Sequence, residues 1–324
     1  CDDADLVSIL DVGDVGLAGS FLEKDQLENE KKYRLRLVFC RSCFAVQVLD
    51  CIPPATLFED YFYFSSAITT LRSHFKNYAA EVVERFIPSK NGVVLEIGCN
   101  DGVMLKPIAD MQVSTVIGVD PARNVLSTIN DDRVIVVNDY FNETLASDLR
   151  NKYGAADIIL ANNVFAHIQD ISGVTRAIKF MLDTNGVFVF EVHYLGNIIE
   201  NNQYDMIYHE HIYYYSISSL LKHFSKHSMC LFDVKFVPTH GGSIRVFASH
   251  ASSEHARFKS KLLSRLIEKE HKENYNNEMF FRGYPDRIKK LREDLLTCLR
   301  NYKRQGKTIV GYGASGRANT ILQF

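Results

Sequence analysis

The stretch that most constrains this chain is VLEIGCNDG, residues 94–102. Residues 93–97 form a short run of β-branched and aliphatic side chains, the pattern of a strand buried on both faces of a parallel sheet, and the run stops at a glycine-rich turn. Gly98 and Gly102 carry no side chain, so the backbone can bend sharply and let a ligand approach. The following VMLKPIAD reads as the start of a helix whose N-terminal N–H groups face that ligand. A dinucleotide fingerprint needs GxGxxG to hold a pyrophosphate, and here Asn100 stands where the second glycine should be.

Across residues 92–192 strand and helix patterns alternate: GVVLEIG, STVIGVD, RVIVVND, ADIILANN and GVFVFEV, with polar helical stretches between. This alternation predicts an α/β fold with a doubly wound, mostly parallel sheet that binds ligands at the carboxyl ends of its strands. Glu96 at the strand end, the GxxxG turn, and Asp120 closing TVIGVD resemble motifs I and II of class I S-adenosylmethionine (SAM) methyltransferases. The resemblance implies a seven-stranded-type sheet with the ribose hydroxyls on Asp120 and the adenine amino group near Asp139. It also places Glu96, Gly98, Asn100, Gly102 and Asn162 around the cofactor. Any other nucleotide-binding βαβ unit is the plain alternative.

With 324 residues and 46% hydrophobic content, the chain can bury a large core and hold two or three domains. A net charge of -2 supplies no basic field for nucleic acid, and no apolar run approaches the ~20 residues of a membrane span. No secretory signal is visible, so a cytoplasmic protein acting on a small molecule is expected. Seven scattered cysteines argue against a disulfide framework. The first residue is Cys1 instead of Met, which suggests a fragment.

Residues 1–58 carry short alternating segments (KYRLRLVFC, FAVQVL) and a turn at Pro53 and Pro54, a β-rich unit too small for a good core of its own. Cys40 and Cys43 form a CxxC, whose spacing lets two thiolates reach one tetrahedral zinc, and Cys1 is a candidate third ligand. No fourth ligand stands out, since Cys51 lies beyond the knuckle beside the prolines. A redox pair or simple packing is the other reading of a single CxxC.

From Phe58 onward, Ser65 and Ser66 read as caps of a helix over 67–86 that Pro88 stops. The four aromatics at 61–64 read first as core. ANNVFAHI brings Asn162, Asn163 and His167 to the carboxyl edge, although His167 alone would as readily be a packed histidine. At 208–211 the sequence reads YHEH. Metal binding by HEH lacks both further ligands and the HExxH spacing, and a surface cluster is the bland alternative. VPTHGGSIRVFASH enters another strand through His240, Gly241 and Gly242, where the backbone can approach a ligand closely. Residues 252–306 read as two amphipathic helices broken around Gly283 and Pro285, with their charges on a solvated face. After Gly306, KTIVGYGASGRANT reads as a strand, a GxGxxG turn at Gly311, Gly313 and Gly316, and a helix start.

Taken in order, LDVG, RLRLVFCRSC, YFYFSS, VLEIGCNDG, NNVFAH, VFEVHYLG, YHEHIYYYS, THGGSIR and GYGASGRANT make the chain resemble the sugar C-methyltransferase family, which methylates nucleotide-linked deoxy-keto-sugars. The resemblance implies a zinc-binding unit at 1–58, a SAM-dependent methyltransferase domain at 59–251, a helical linker at 252–306 and the beginning of a Rossmann-like domain at 307–324. Cys40 and Cys43 match the family's second CxxC pair, and Cys1 the last cysteine of its first. His211 matches the base, Glu210 a group that orients or polarises it, and Tyr208, Tyr63 and His167 hydrogen-bonding groups around the sugar and its enolate. His240 falls on the substrate side, and Arg317, Asn319 and Thr320 match candidates for the nucleotide's phosphates. The chemistry is physically coherent: bonding carbon to the SAM methyl needs a carbanion equivalent, hence a base and an oxyanion donor. The alternatives are an O- or N-methyltransferase, a non-catalytic SAM and zinc binding module, and a nicotinamide-dependent oxidoreductase built on the last turn.

Overall fold

The computed structural model describes every residue except 2, 59, 60 and 314. Near the N-terminus β1 (Leu6–Val15), β2 (Tyr33–Cys40) and β3 (Val46–Val48) pair antiparallel in that order. Five strands follow on the apolar runs: β4 (Val93–Ile97), β5 (Thr115–Val119), β6 (Val134–Val137), β7 (Ala156–Asn162) and β8 (Leu182–His193). Then come β9 (Tyr213–Tyr214), β10 (Met229–Val237) and β11 (Ser243–His250).

The large sheet has the order β10-β11-β8-β7-β4-β5-β6, so the expected seven-stranded α/β sheet is present. From β6 to β8 the neighbours are parallel, whereas β11 runs antiparallel to both β8 and β10. Strand order reverses on either side of β4, between β5 and β7, which opens a crevice at the carboxyl ends. Both faces are covered, which is why these strands read as continuous apolar runs. One face packs around Phe165, Phe188, Phe190 and Phe224, the other around Tyr78, Val82, Leu105 and Ile158.

The N-terminal sheet completes its core with later segments. β9 pairs with β3 as a fourth strand, and Leu195, Ile198, Tyr204, Tyr284 and Ile288 pack on its inner face. Residues that cannot bury a core alone gain one because the middle of the chain folds back over them.

Several local expectations need correction. The helix expected from residue 67 spans Thr69–Phe86 and is flanked by Ile68 with no side-chain cap, while Ser65 lies in a preceding 3-10 turn. The backbone N–H groups of Ser65 and Ser66 instead donate to Asn100 and Asp101. The break expected around Gly283 and Pro285 is present, since the two helices are Lys261–Lys272 and Tyr284–Arg304 and Pro285 marks the start of the second. Pro285 sits in that helix's first turn, where a missing N–H costs nothing. The charges of the helix Lys261–Lys272 are not all solvated: Glu270 is fully buried and accepts hydrogen bonds from the Ile217 and Ser218 N–H groups and from the Tyr194 hydroxyl. There its carboxylate faces the N-terminus of the helix Ile217–Lys226, which Ser216 caps. The strand expected from residue 307 does not form, since no strand of the described residues pairs with this segment, and Val310 is 82% exposed. The helix expected after it forms at Ala318–Gln323. Among the described residues, no helix is long and apolar enough to cross a membrane.

Candidate active site

A cavity of about 1480 Å³ opens at the carboxyl ends of β4, β5, β7 and β8. Two of its walls have different chemistry. One carries Gly98, Asn100, Asp120 and Asp139, and the other His167, His193, His211 and His240.

The first wall is shaped by the turn after β4. Gly98, Asn100 and Gly102 have φ of +66°, +51° and +74°, so left-handed conformations alternate through it. A Cβ on Gly98 would run into the side chain of Val164. Asp120 accepts the Asn100 N–H at 2.9 Å and the Ala122 N–H at 2.9 Å, one on each oxygen, and a carboxylate keeps lone pairs for further donors. The Asn100 side chain faces the chain instead of a ligand: its NH2 donates to the Tyr63 carbonyl and its oxygen accepts the Ser65 N–H. Together with Asn124, which holds both backbone groups of Tyr61, it ties residues 61–66 across the cavity as a strap. Tyr61 and Tyr63 line the cavity from that strap.

Glu96 does not line the cavity. It is buried behind the turn, where it accepts from the Asn162 side chain at 3.0 Å, and burial pushes its carboxyl up to about 8. Burial also raises Asp120. Gly102 shapes the turn without lining the space, whereas Asp139 is exposed at the rim.

The second wall is built on the YHEH segment, which is a tight turn in which the His211 N–H donates to the Tyr208 carbonyl. The turn separates the two histidines that a strand would place on one face. His209 Nε2 donates to the Arg34 carbonyl in β2, and His211 is buried against the cavity. The bland surface-cluster reading is therefore wrong here.

His211 Nδ1 lies 3.2 Å from the Met206 carbonyl, which can only accept, so the proton sits on Nδ1. The lone pair is then on Nε2, where it receives the Tyr208 hydroxyl at 2.8 Å. Burial first, then His193 and His167, hold the His211 imidazole well below the ordinary histidine value. His167 stacks on Phe58 and lies 5.0 Å, centroid to centroid, from His211. Burial holds it down at about 4. Glu210 lines the same space, and burial pushes its carboxyl up to about 7. These are the directions a neutral base needs.

Sequence reasoning missed His193, Tyr61 and the contribution of residues 17–21 from the N-terminal unit, all of which line the cavity. His193 had a legible signal: it ends the fifth parallel strand, at the edge where such sheets bind ligands. Arg317 reaches the cavity, 3.7 Å from Asp205. Asn319 and Thr320 do not: Asn319 donates to the Gly16 carbonyl and buried Thr320 to that of Ile207. These two hold the segment that presents Arg317.

Away from the cavity, the sulfurs of Cys1, Cys40 and Cys43 lie within 4.8 Å of one another, with Cys1 and Cys40 at 3.5 Å. Tetrahedral zinc with Zn–S bonds of ~2.3 Å separates its sulfurs by roughly 3.8 Å, so this set fits three of four ligand positions. Among the described residues it is the only such group of three or more, and the cavity histidines do not bring three ligand atoms together in this way.

Three family models match the chain: a proposed zinc binding domain over residues 1–58, a methyltransferase domain over 71–227 and a C-methyltransferase C-terminal domain over 238–324. The C-methyltransferase NovU of Streptomyces niveus is 31% identical over 323 residues, 99% of this chain and 76% of NovU. A ubiquinone biosynthesis O-methyltransferase of Azorhizobium caulinodans is 33% identical over 104 residues, 32% of this chain and 40% of that protein. Among solved structures, magnesium protoporphyrin IX methyltransferase of Synechocystis PCC 6803 with bound SAM aligns at a TM-score of 0.41 and 12% identity, over 55% of this chain and 79% of that one. The plantazolicin methyltransferase BpumL aligns at 0.44 and 11%, over 57% and 86%. With a relative 31% identical over almost the whole of this chain and three domain models matching successive parts of it, the chain belongs to the C-methyltransferase family.

Proposed function

We propose that this C-methyltransferase acts on a nucleotide-linked deoxy-keto-sugar, with SAM held by the turn after β4 and His211 removing a proton from the carbon alpha to the ketone. The observation that carries the reading is the His211 tautomer: a neutral, buried imidazole whose lone pair at Nε2 points to the Tyr208 hydroxyl in the cavity shared with the turn. SAM supplies an electrophilic methyl that leaves a neutral thioether behind.

The chain's residues do the rest. Asp120 offers lone pairs for ribose hydroxyls, Asp139 stands at the rim for the adenine, and the Gly98 turn gives the close approach. His211 accepts the carbon-bound proton at Nε2 once the Tyr208 hydroxyl turns to the substrate, and its Nδ1–H stays on Met206. Tyr63, His167 and His240 surround the sugar, and Arg317 faces its phosphates, the one cation among the proposed phosphate ligands that lines the cavity. Cys1, Cys40 and Cys43 would hold a structural zinc that ties the chain's start to β2.

The test supplies labelled SAM and a panel of dTDP- and UDP-linked keto-deoxysugars, and follows methyl transfer together with solvent deuterium entering alpha to the ketone. Methyl on carbon and exchange lost in His211→Ala are expected. Transfer to oxygen or nitrogen without exchange, or full activity in His211→Ala, would overturn the reading.

A further inference from the structure

His193 is 7% exposed at the carboxyl end of β8, and it lines the cavity. Its ring centroid lies 4.5 Å from that of His211 and 5.9 Å from that of His240. Its Nε2 is buried with no hydrogen-bond partner. Of the four imidazoles on this wall it alone has a buried orphan nitrogen. Burying a polar atom without a partner costs about 1–3 kcal/mol, so a native chain that keeps one beside a ligand cavity points to a partner that arrives with the ligand.

The neighbouring strand interior shows how firmly this end of β8 is held. Two residues earlier, Glu191 is fully buried and bonds both His74 and Arg245 at 2.7–3.0 Å, and Arg245 also reaches Glu81. The β8 backbone next to His193 is anchored while its ring nitrogen is left unspent.

We propose that His193 is a further catalytic residue, donating a hydrogen bond from Nε2 to the substrate carbonyl oxygen on which the enolate charge develops. The proposal rests on the enolate reading above. The carbon–hydrogen bond alpha to the ketone breaks and its proton goes to His211 Nε2. The freed electron pair forms the carbon–carbon double bond, and the carbonyl π pair moves onto oxygen. His193 keeps its proton throughout and only shares it. That carbon then bonds the methyl of SAM while the sulfur–methyl pair leaves with sulfur. Burial, followed by His240 and His167, holds the His193 imidazole at about 3, so it enters the reaction neutral. A neutral imidazole suits an enolate donor because it does not hand over its proton and quench the carbanion. The other donors are placed differently: the Tyr208 hydroxyl must first leave His211 Nε2 before it can turn to the substrate, and Tyr63 is partly exposed at the cavity mouth.

The experiment compares the wild-type chain with His193→Phe, His193→Gln and His211→Ala on whichever panel member the wild type methylates, measuring kcat, KM, SAM-independent deuterium exchange and SAM affinity by calorimetry. His193→Phe is expected to lose about 100-fold in both kcat and exchange, the scale of one oxyanion donor, with SAM affinity and KM within about threefold. His193→Gln, which keeps an N–H, should recover at least about tenfold of that loss. Exchange within about threefold of wild type in His193→Phe, while His211→Ala abolishes it, overturns this proposal and leaves the enolate reading standing. A wild type that neither exchanges nor methylates any panel member overturns that reading, and this proposal with it. If the variants do not fold, nitrogen-15 histidine spectra of the wild type decide: one ring N–H signal moving strongly downfield with bound keto-sugar supports the proposal, and no moved ring signal overturns it.

Discussion

The turn after β4 and the imidazole wall face one another across a single cavity, yet they are made in opposite ways. The turn draws its shape from one short stretch in which left-handed backbone recurs at Gly98, Asn100 and Gly102, and the Asn100 side chain is spent within the protein. The wall gathers His167, His193, Tyr208, His211 and His240 from four separate stretches of chain and leaves one buried ring nitrogen, Nε2 of His193, without a protein partner. Burial disfavours charge on both, moving carboxyls up and imidazoles down. It pushes Glu96 to about 8 and raises Asp120 on the turn side, a setting that a cationic ligand relieves. On the histidine side it strips charge from the imidazoles, which is the state a base must be in. In the proposed reading, one half of the site recognises by backbone shape and the other reacts by side-chain chemistry.

Substitutions on each wall should separate binding from chemistry. His211→Ala should have the largest effect, lowering methyl transfer by about 1000-fold or more while calorimetry shows SAM affinity nearly unchanged. An equal loss of SAM affinity would mean the two walls are not separate. Gly98→Ala should do the converse, weakening SAM by at least about tenfold, since a left-handed alanine costs ~1–2 kcal/mol before its overlap with Val164. Adding Val164→Ala should recover part of that affinity, and no recovery would place the strain elsewhere.

Glu210 allows a pH test with a defined sign. Its carboxyl is protonated below about 7, and its charge faces Tyr208 and Tyr61, while His211 remains neutral throughout that range. Activity should therefore climb from pH 6 to 8 as the carboxylate forms beside the base, and Glu210→Gln should flatten that climb. Stability runs the other way. The folded carboxyl holds its proton up to about 7 whereas the unfolded one releases it near 4.5, so stability falls as pH rises between those values. Ligand-free Glu210→Gln should consequently melt higher than wild type at pH 8 and equally at pH 4. The smallest effect is expected from Tyr208→Phe, which frees His211 Nε2: a loss of about tenfold in kcat with SAM affinity unchanged, against the larger loss in His211→Ala.

How much of this was legible follows the same division. The doubly wound sheet and the Gly98 turn could be read directly, because buried parallel strands announce themselves as apolar runs and a left-handed turn demands glycine locally. Ser65 and Ser66 looked like helix caps because capping residues are identified by type, and only the approach of Asn100 and Asp101 shows where their N–H groups go. Residues 307–310 have the composition of a strand but not its partner, and a ladder hydrogen bond needs two strands. Glu270 has the sequence setting of a solvated charge, and only the distant helix whose two N–H groups converge on it makes it a buried acceptor.

The α/β sheet, the turn that approaches a ligand, the CxxC knuckle and the family follow from residue order alone, because each is written in neighbouring residues or in the succession of motifs. It takes the folded arrangement to send His209 to β2 and His211 to the cavity, to make Asn100 hold a strap, and to lay His193 against His211 with an unspent nitrogen. The reason is physical: a backbone conformation is set by local sterics, whereas the partner and charge of a side chain are set by whatever the fold brings alongside it.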